Sequence, residues 1–189
     1  MNGKKPTARK AAALGVLTAL SLVTFLIENL FPPLVIPGAK LGLANAFSFI
    51  ALIMYSPLEA FLVVIARTLL GAVFAGNVSA VIYSFTGGII SMGVSSLLTY
   101  LVHPKISVIC VSVVAAVCHN LTQNIVFVLL YSSPVAFSYA PYLLLLGVLS
   151  GAFIGGCVTM LVKRVPKSAF CKILDIKIKN NQEVEIESN

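Results

Sequence analysis

The sequence predicts an all-α membrane protein with six transmembrane helices. Hydrophobic residues make up 59% of the 189 residues and charged residues only 10%, with a mean hydropathy of +1.01. This composition excludes an ordinary soluble domain. A hydrocarbon core about 30 Å thick requires about 20 apolar residues per helix. Apolar segments of about this length lie at about 11–30, 41–56, 58–76, 79–102, 106–131 and 139–162.

The distribution of Lys and Arg predicts the orientation of these segments. Of the 13 basic residues, four precede the first segment, Lys105 separates the fourth from the fifth, and six follow the sixth. Because basic loops stay in the cytoplasm, we expect a multi-pass protein of the bacterial inner membrane with both termini cytoplasmic. The chain divides into a basic N-terminus (1–10), a six-helix domain (11–163) and a polar tail (164–189). The net charge of +7 then indicates anchoring to the lipid bilayer rather than nucleic-acid binding.

The first segment is interpreted as a retained helix rather than a signal peptide. Its apolar run is about 20 residues long, and no A-x-A-like cleavage site closes it. The four cysteines show no C-x-x-C spacing, and three of them lie inside predicted spans. We assign the cysteines packing roles and no chemistry.

The second segment is the shortest, and the chain before it is irregular. Phe31–Lys40 is apolar but contains Pro32, Pro33, Pro37 and Gly38, so it cannot form a regular helix. Irregular backbone at membrane depth must be covered by protein. We therefore predict an irregular apolar loop between helices 1 and 2 that dips into the outer leaflet against other helices.

Polar residues inside the predicted spans are the candidates for function, because each needs a partner or water in lipid. In the predicted topology the strongly polar groups lie at or above the membrane midplane, and the inner half is nearly all apolar. This asymmetry argues against a continuous pore and favours a pocket that opens outward. The alternative is that these groups bond one another and only fix helix packing. The candidates are Glu28, Lys40, Asn45, Arg67, His119, Asn120, Gln123 and Asn124.

The fifth segment carries the densest group of these residues, in the pattern His119-Asn120-x-x-Gln123-Asn124. At about 100° per residue the four side chains occupy a face about 140° wide over two turns. Amides and one imidazole suit recognition of a polar ligand. A metal site would need His or carboxylate partners at i+3 or i+4, and none is present, so we predict no metal and no cofactor.

Arg67 falls near the middle of the third segment, where a charge costs about 2.5–3.5 kcal/mol on insertion scales. Three partners would offset this cost: Glu28, backbone carbonyls of Phe31–Gly38, or an anionic ligand. Glu59 lies in the first turn of the same segment, where a carboxylate complements the helix dipole, so we interpret Glu59 as structural.

Two stripes of small residues are spaced for close helix packing. Such rows let helix backbones approach each other in membranes. The stripe of the sixth segment suits packing within the bundle, whereas that of the first suits either internal packing or a partner protein. The stripes are Ala11, Gly15 and Ala19, and Gly147, Gly151 and Gly155.

Several motifs resemble one family of bacterial membrane proteins. The chain is similar over about residues 11–163 to heptaprenyl diphosphate synthase component I, also called the Gx transporter family. That family is in turn similar to the S components of energy-coupling factor vitamin transporters. The resemblance implies six helices, an outward ligand pocket beneath the first loop, and docking of helix 1 on a transmembrane coupling subunit that works with ATPases. The matching stretches are Ile36–Asn45, Glu28–Pro33, Ala66–Gly71, Ser84–Gly88 and His119–Gln123.

The two family labels imply different functions, and the sequence weighs them. Prenyl chain elongation uses Asp-rich motifs to hold Mg²⁺ on a diphosphate. This chain contains a single Asp, Asp175, so we expect no catalysis. It also lacks a Walker A loop, so ATP hydrolysis would come from separate subunits.

We therefore predict an S-component-like subunit that takes up a small, anionic and partly apolar molecule from outside. One alternative is a non-catalytic membrane subunit of polyprenyl diphosphate or quinone metabolism. The other is a purely structural membrane scaffold, in which the outer polar groups bond only one another.

Overall fold

The computed structural model describes residues 8–30, 42–75, 78–102 and 105–164. Those residues form six α-helices and one short 3₁₀ helix, and no strand occurs among them. The predictions for Lys40, for the proline-containing loop and for the polar tail after Arg164 lie outside the described residues. The helices are α1 (Ala8–Leu30), α2 (Asn45–Met54), α3 (Pro57–Ala75), α4 (Val78–Val102), α5 (Val108–Tyr131) and α6 (Ala140–Arg164), and the 3₁₀ helix is Pro134–Tyr139.

From α2 onward the helices are joined by two to eight residues, and such short connections make successive helices run in opposite directions. The bundle therefore has two ends. At one end Lys10 of α1 pairs with Glu59 of α3, and we call this the basal end. The opposite end, where α1 and α5 finish at Leu30 and Tyr131, is the distal end. α2 begins on the distal side, because the Leu43 amide donates to Glu28 Oε1 over 2.9 Å.

Five of the helices are long and apolar enough to cross a membrane, and α2 is not. With 10 residues α2 is about 15 Å long, half of a hydrocarbon core. The reason is its starting depth: the backbone carbonyl of Ala44 accepts a 2.7 Å bond from Ser21 Oγ, nine residues before the end of α1. The prediction of six membrane-spanning helices is thus supported for five, and α2 reaches only part of the way.

The chain enters the bundle just before α2 as irregular backbone, over residues that the sequence assigned to the second span. Gly42 has a φ of +74°, which favours glycine. The Leu43 amide donates to Glu28, and the Ala44 carbonyl accepts a bond from Ser21. Side chains of α1 therefore meet the requirement that irregular backbone at this depth be paired within the protein.

The bundle is apolar outside and partly polar inside. Large apolar side chains such as Val73, Leu129 and Met160 are exposed on its surface, as contact with lipid requires. The basal half of the interior is an apolar core around α2, with Phe49–Ile53 packed against Val63 and Val64. The distal half contains the buried guanidinium, imidazole and amide groups, whereas the buried polar side chains of the basal half are serines such as Ser95 and Ser112.

The two small-residue stripes have different surroundings. An added Cβ at any glycine of the α6 stripe would lie within 3.0 Å of an α5 backbone atom, so this stripe packs inside the bundle as predicted. A Cβ at Gly15 would meet nothing within 4 Å, and Ala11 and Ala19 beside it are exposed. The stripe of α1 thus lies on the surface. The α6 contacts are Gly147 with Val117, Gly151 with Val113 and Gly155 with Ile109.

Candidate functional site

Four of the predicted site residues form one continuous buried network between α2, α3 and α5. Arg67 Nη2 donates to Asn45 Oδ1 over 2.6 Å. The Asn45 amide nitrogen lies 3.1 Å from His119 Nδ1, and the Gln123 amide nitrogen lies 3.1 Å from His119 Nε2. All four side chains are buried. The starting depth of α2 explains the contact, because it brings its first residue, Asn45, level with Arg67 on α3.

Three glycines provide the space for this network, and none was predicted as a site residue. A Cβ at Gly87 would lie 2.8 Å from His119 Cε1 and Nδ1, and one at Gly88 would lie 3.1 Å from Arg67 Nη2. Gly42 approaches the other edge of the ring, with its added Cβ 3.1 Å from His119 Cδ2. The sequence contained one signal of this packing, the adjacent glycines Gly87 and Gly88 inside the fourth segment. Glycine inside a helix lowers helix stability, so such a pair indicates that another group packs closely there.

Arg67 is the most deeply placed charge among the described residues, with 2% of its surface exposed. Its guanidinium bonds to a neutral amide, and its Nε has no hydrogen-bond partner. Within the described part of the chain no carboxylate lies within 4.0 Å of it, although Glu28 acts on it electrostatically. Asn45 was not among the three partners expected for Arg67. The backbone carbonyls proposed as a second partner belong to residues outside the described ranges.

Asn120 and Asn124 lie on a different side of α5 from His119 and Gln123. Asn120 Nδ2 donates to the Leu143 carbonyl of α6 over 3.0 Å, and its Oδ1 has no partner. Asn124 follows one turn later on the same side. It is 2% exposed, and neither of its amide atoms has a partner. The structure therefore divides the predicted four-residue face into a network pair and a second pair, of which Asn120 bonds to α6.

A cavity of about 20 Å³ lies beneath the network, between α2, α4, α5 and α6. It has room for about one water molecule. Pockets for small molecules measure about 300–1,000 Å³, so this cavity is not itself a cargo pocket. Its polar lining comes from Asn45 and His119 above and from three serines on α4 and α5. The lining residues are Gly42, Asn45, Phe49, Ser91, Met92, Ser95, Ser112, Ala115, Ala116, His119 and Ile154.

Glu59 belongs to a charged cluster at the basal end rather than to the network. Its carboxylate pairs with Lys10 and accepts a hydrogen bond from Ser56. The Lys10 ammonium also lies 5.6 Å from the centre of the Tyr55 ring. The cluster joins the start of α1 to the turn between α2 and α3, so Glu59 has a structural partner besides the helix dipole.

No group of three or more His, Cys, Asp or Glu residues that could hold a metal occurs among the residues that the structure describes. The three cysteines in that part of the chain, Cys110, Cys118 and Cys157, are free.

Long apolar helices around a buried polar network define a helical membrane protein that crosses the bilayer several times. The sequence model of the heptaprenyl diphosphate synthase component I family matches residues 17–161, so the chain belongs to that family. This match confirms the family resemblance found in the sequence motifs. No curated protein matches the chain.

Proposed function

We propose that this protein is an integral membrane substrate-binding subunit, similar to the S components, for uptake of a small anionic and partly apolar molecule. The observation that carries the proposal is the buried guanidinium of Arg67, which bonds to one neutral amide and keeps Nε free. No carboxylate of the described residues lies within 4.0 Å of this charge, and a buried charge without a close counter-ion is strongly destabilising. An anionic ligand at this position would supply the missing charge.

The proposed ligand contacts are divided between polar and apolar groups. Arg67 would grip an oxyanion, with Lys40 as a second cation from the chain that precedes α2. Asn45, His119 and Gln123 would hold Arg67 in place, and Glu28 would fix the entry of the chain into α2 through the Leu43 amide.

Asn120 and Asn124 belong to the proposed substrate contacts through their unpaired amide atoms. Because Asn120 bonds to α6 and Asn124 follows it one turn later, we propose that both contact the ligand only when the distal start of α6 moves away from α5. The apolar side chains around them would then contact the apolar part of the ligand.

The partner and the location follow from the same proposal. The exposed stripe of Ala11, Gly15 and Ala19 would dock on a transmembrane coupling subunit, and separate ATPases would supply energy. The protein would lie in the bacterial inner membrane with both termini in the cytoplasm and the distal end outward. Residues 1–10 and 164–189 would flank the membrane domain as cytoplasmic segments.

Native mass spectrometry of the purified protein tests the proposal. We expect wild type to retain a small anionic molecule and Arg67→Gln to lose it. Arg164→Gln, which removes an exposed charge at the basal end of α6, is the control and should retain the molecule. Equal retention by wild type and Arg67→Gln, or no bound molecule in wild type, would contradict the proposal.

The family description favours a second candidate, a non-catalytic membrane subunit of polyprenyl diphosphate or quinone metabolism. The network offers amides and a guanidinium but no pair of carboxylates for Mg²⁺. The purified protein, given labelled isopentenyl diphosphate, an allylic primer and Mg²⁺, should therefore form no longer prenyl product. Product formation by the protein alone would overturn the non-enzyme assignment. A product formed faster when the protein is added to a separate synthase subunit would favour this second candidate over uptake.

A further inference from the structure

We infer that Asn45 is a positioning residue that fixes His119 as a neutral ring carrying its proton on Nε2. The inference follows from the direction of the hydrogen bonds in the network and does not depend on what the ligand is. Its consequence for ligand chemistry rests on the proposed function and is tested separately.

The direction is set at Arg67. A guanidinium has five N–H donors and no acceptor. The atom of Asn45 that lies 2.6 Å from Arg67 Nη2 must therefore be the amide oxygen. Asn and Gln oxygens and nitrogens are exchanged by a simple rotation and are otherwise hard to tell apart, but here the charge of Arg67 removes the ambiguity.

The orientation of Asn45 then determines the state of His119. With its oxygen on Arg67, Asn45 presents its NH₂ group to His119 Nδ1 at 3.1 Å. Nδ1 must accept this bond, so it carries no proton, and a neutral imidazole then carries its proton on Nε2. A doubly protonated ring would place an N–H of His119 against the N–H of Asn45.

The second ring nitrogen extends the same direction to Gln123. The Gln123 amide nitrogen lies 3.1 Å from His119 Nε2. Because Nε2 carries the proton and donates, the Gln123 amide must be turned over so that its oxygen faces the ring. The ring cannot turn over easily to escape this arrangement. It is confined on one side by Gly87 and on the other by Gly42, where even an added Cβ would approach to 2.8 Å and 3.1 Å.

The charges around the ring agree with a neutral imidazole. Arg67 on α3 is the cation of the network, and Glu28 on α1 acts on Arg67 electrostatically. α2 faces the ring with the Asn45 amide, and α4 faces it with Gly87. His119 therefore supports the network as a hydrogen-bonding link and does not serve as its positive charge.

The network therefore offers a ligand a hydrogen-bond donor rather than an acceptor. Arg67 Nε, the network atom without a partner in the described residues, is an N–H donor. A carboxylate or phosphate oxygen would accept a hydrogen bond from Arg67 Nε, and no proton would have to move from His119. Asn45 is thus specificity-determining: a carboxylate in its place would occupy Arg67 as an internal anion.

Nitrogen NMR of the ring tests the inference directly, because the chain has only two histidines. In His103→Gln protein labelled with ¹⁵N-histidine, we expect one protonated nitrogen, Nε2, and one bare nitrogen, Nδ1, at neutral pH. His103→Gln leaves all four residues of the network unchanged, so this spectrum reports the state of the His119 ring independently of the Asn45 variant. A proton on Nδ1, or on both nitrogens, would overturn the inference.

Asn45→Asp tests the role of Asn45 itself. Aspartate can accept hydrogen bonds from both Arg67 and His119, so the His119 ring should carry its proton on Nδ1 or be protonated on both nitrogens. The control Asn29→Asp, which adds the same charge on α1, should leave the ring protonated on Nε2. An unchanged spectrum in folded Asn45→Asp would contradict the role of Asn45.

In the ligand experiment, Asn45→Asp should lose the anion that wild type retains, and Asn29→Asp should keep it. Retention by Asn45→Asp would contradict the specificity role. If wild type retains no anion but shows the expected ring state, the proposed function fails and the positioning role stands.

Discussion

The basal and distal halves of this bundle lie between the same helices but have opposite interiors. The basal half buries an apolar core around Phe49–Ile53, and its charges, Lys10 and Glu59, pair with each other at the rim. The distal half buries a guanidinium and several amides, some with atoms that have no partner. A buried polar atom left unpaired costs about 1–3 kcal/mol. Stability alone would favour an apolar interior in both halves, and the polar distal interior is what the proposed binding role requires.

The largest expected effect is on ligand affinity at the distal half. Arg67→Lys keeps the charge but loses the planar fork of donors that grips an oxyanion. Charge-assisted hydrogen bonds contribute about 1.5–3 kcal/mol each, so affinity for the co-purifying molecule should fall by about 10- to 100-fold. Titration of the purified protein with that molecule measures the effect.

Arg164→Lys, at the basal end, is the matched control for this change and should bind as wild type does. Wild-type affinity in Arg67→Lys would mean that Arg67 does not contact the ligand, and that neither substitution affects ligand binding.

The next effect concerns the space that α4 gives to the network. Gly87→Ala would place a methyl group 2.8 Å from the His119 ring, and overpacking of this kind costs about 1–3 kcal/mol. Gly93→Ala, on the same helix, meets nothing within 4 Å and should be neutral or raise stability by about 0.5–1 kcal/mol. Thermal unfolding in detergent compares the two variants. Equal unfolding temperatures would show that the ring is less confined than the structure indicates.

The smallest effect is expected at the basal rim. Lys10→Gln or Glu59→Gln removes a partly exposed ion pair, and such pairs contribute about 0–1 kcal/mol. Each variant should unfold within a few degrees of wild type and retain the ligand equally well. Loss of ligand from either variant would mean that the basal cluster is coupled to the distal network.

The sequence predicts the five long helices to within about three residues at each end, because a lipid-exposed helix needs one long apolar run. It does not predict where α2 begins. Leu43 and Ala44 are apolar because protein surrounds them, and hydropathy cannot distinguish that from lipid. The 3₁₀ helix Pro134–Tyr139 was missed for a related reason, since it continues the apolar pattern before α6.

The candidate site was predictable as residue types but not as contacts. In the sequence, a charge inside an apolar segment singles out Arg67, and a group of amides around an imidazole singles out His119. The bond from Arg67 to Asn45 depends on the depth at which α2 starts, and that depth depends on Ser21 and Glu28 of α1. The split of the α5 face was also hidden, because helical spacing gives the angle between side chains but not which neighbour each one meets.

The claim that Arg67 is kept for a ligand rather than for Glu28 is tested most directly by a double-mutant cycle in thermal unfolding. Glu28 bonds to the Leu43 amide and is not within 4.0 Å of the guanidinium. The effects of Arg67→Ala and Glu28→Ala should therefore add, with a coupling below about 1 kcal/mol. A double variant that recovers the stability lost by Arg67→Ala, with a coupling of about 3 kcal/mol or more, would show that the two residues form a structural ion pair. That result would contradict the ligand role.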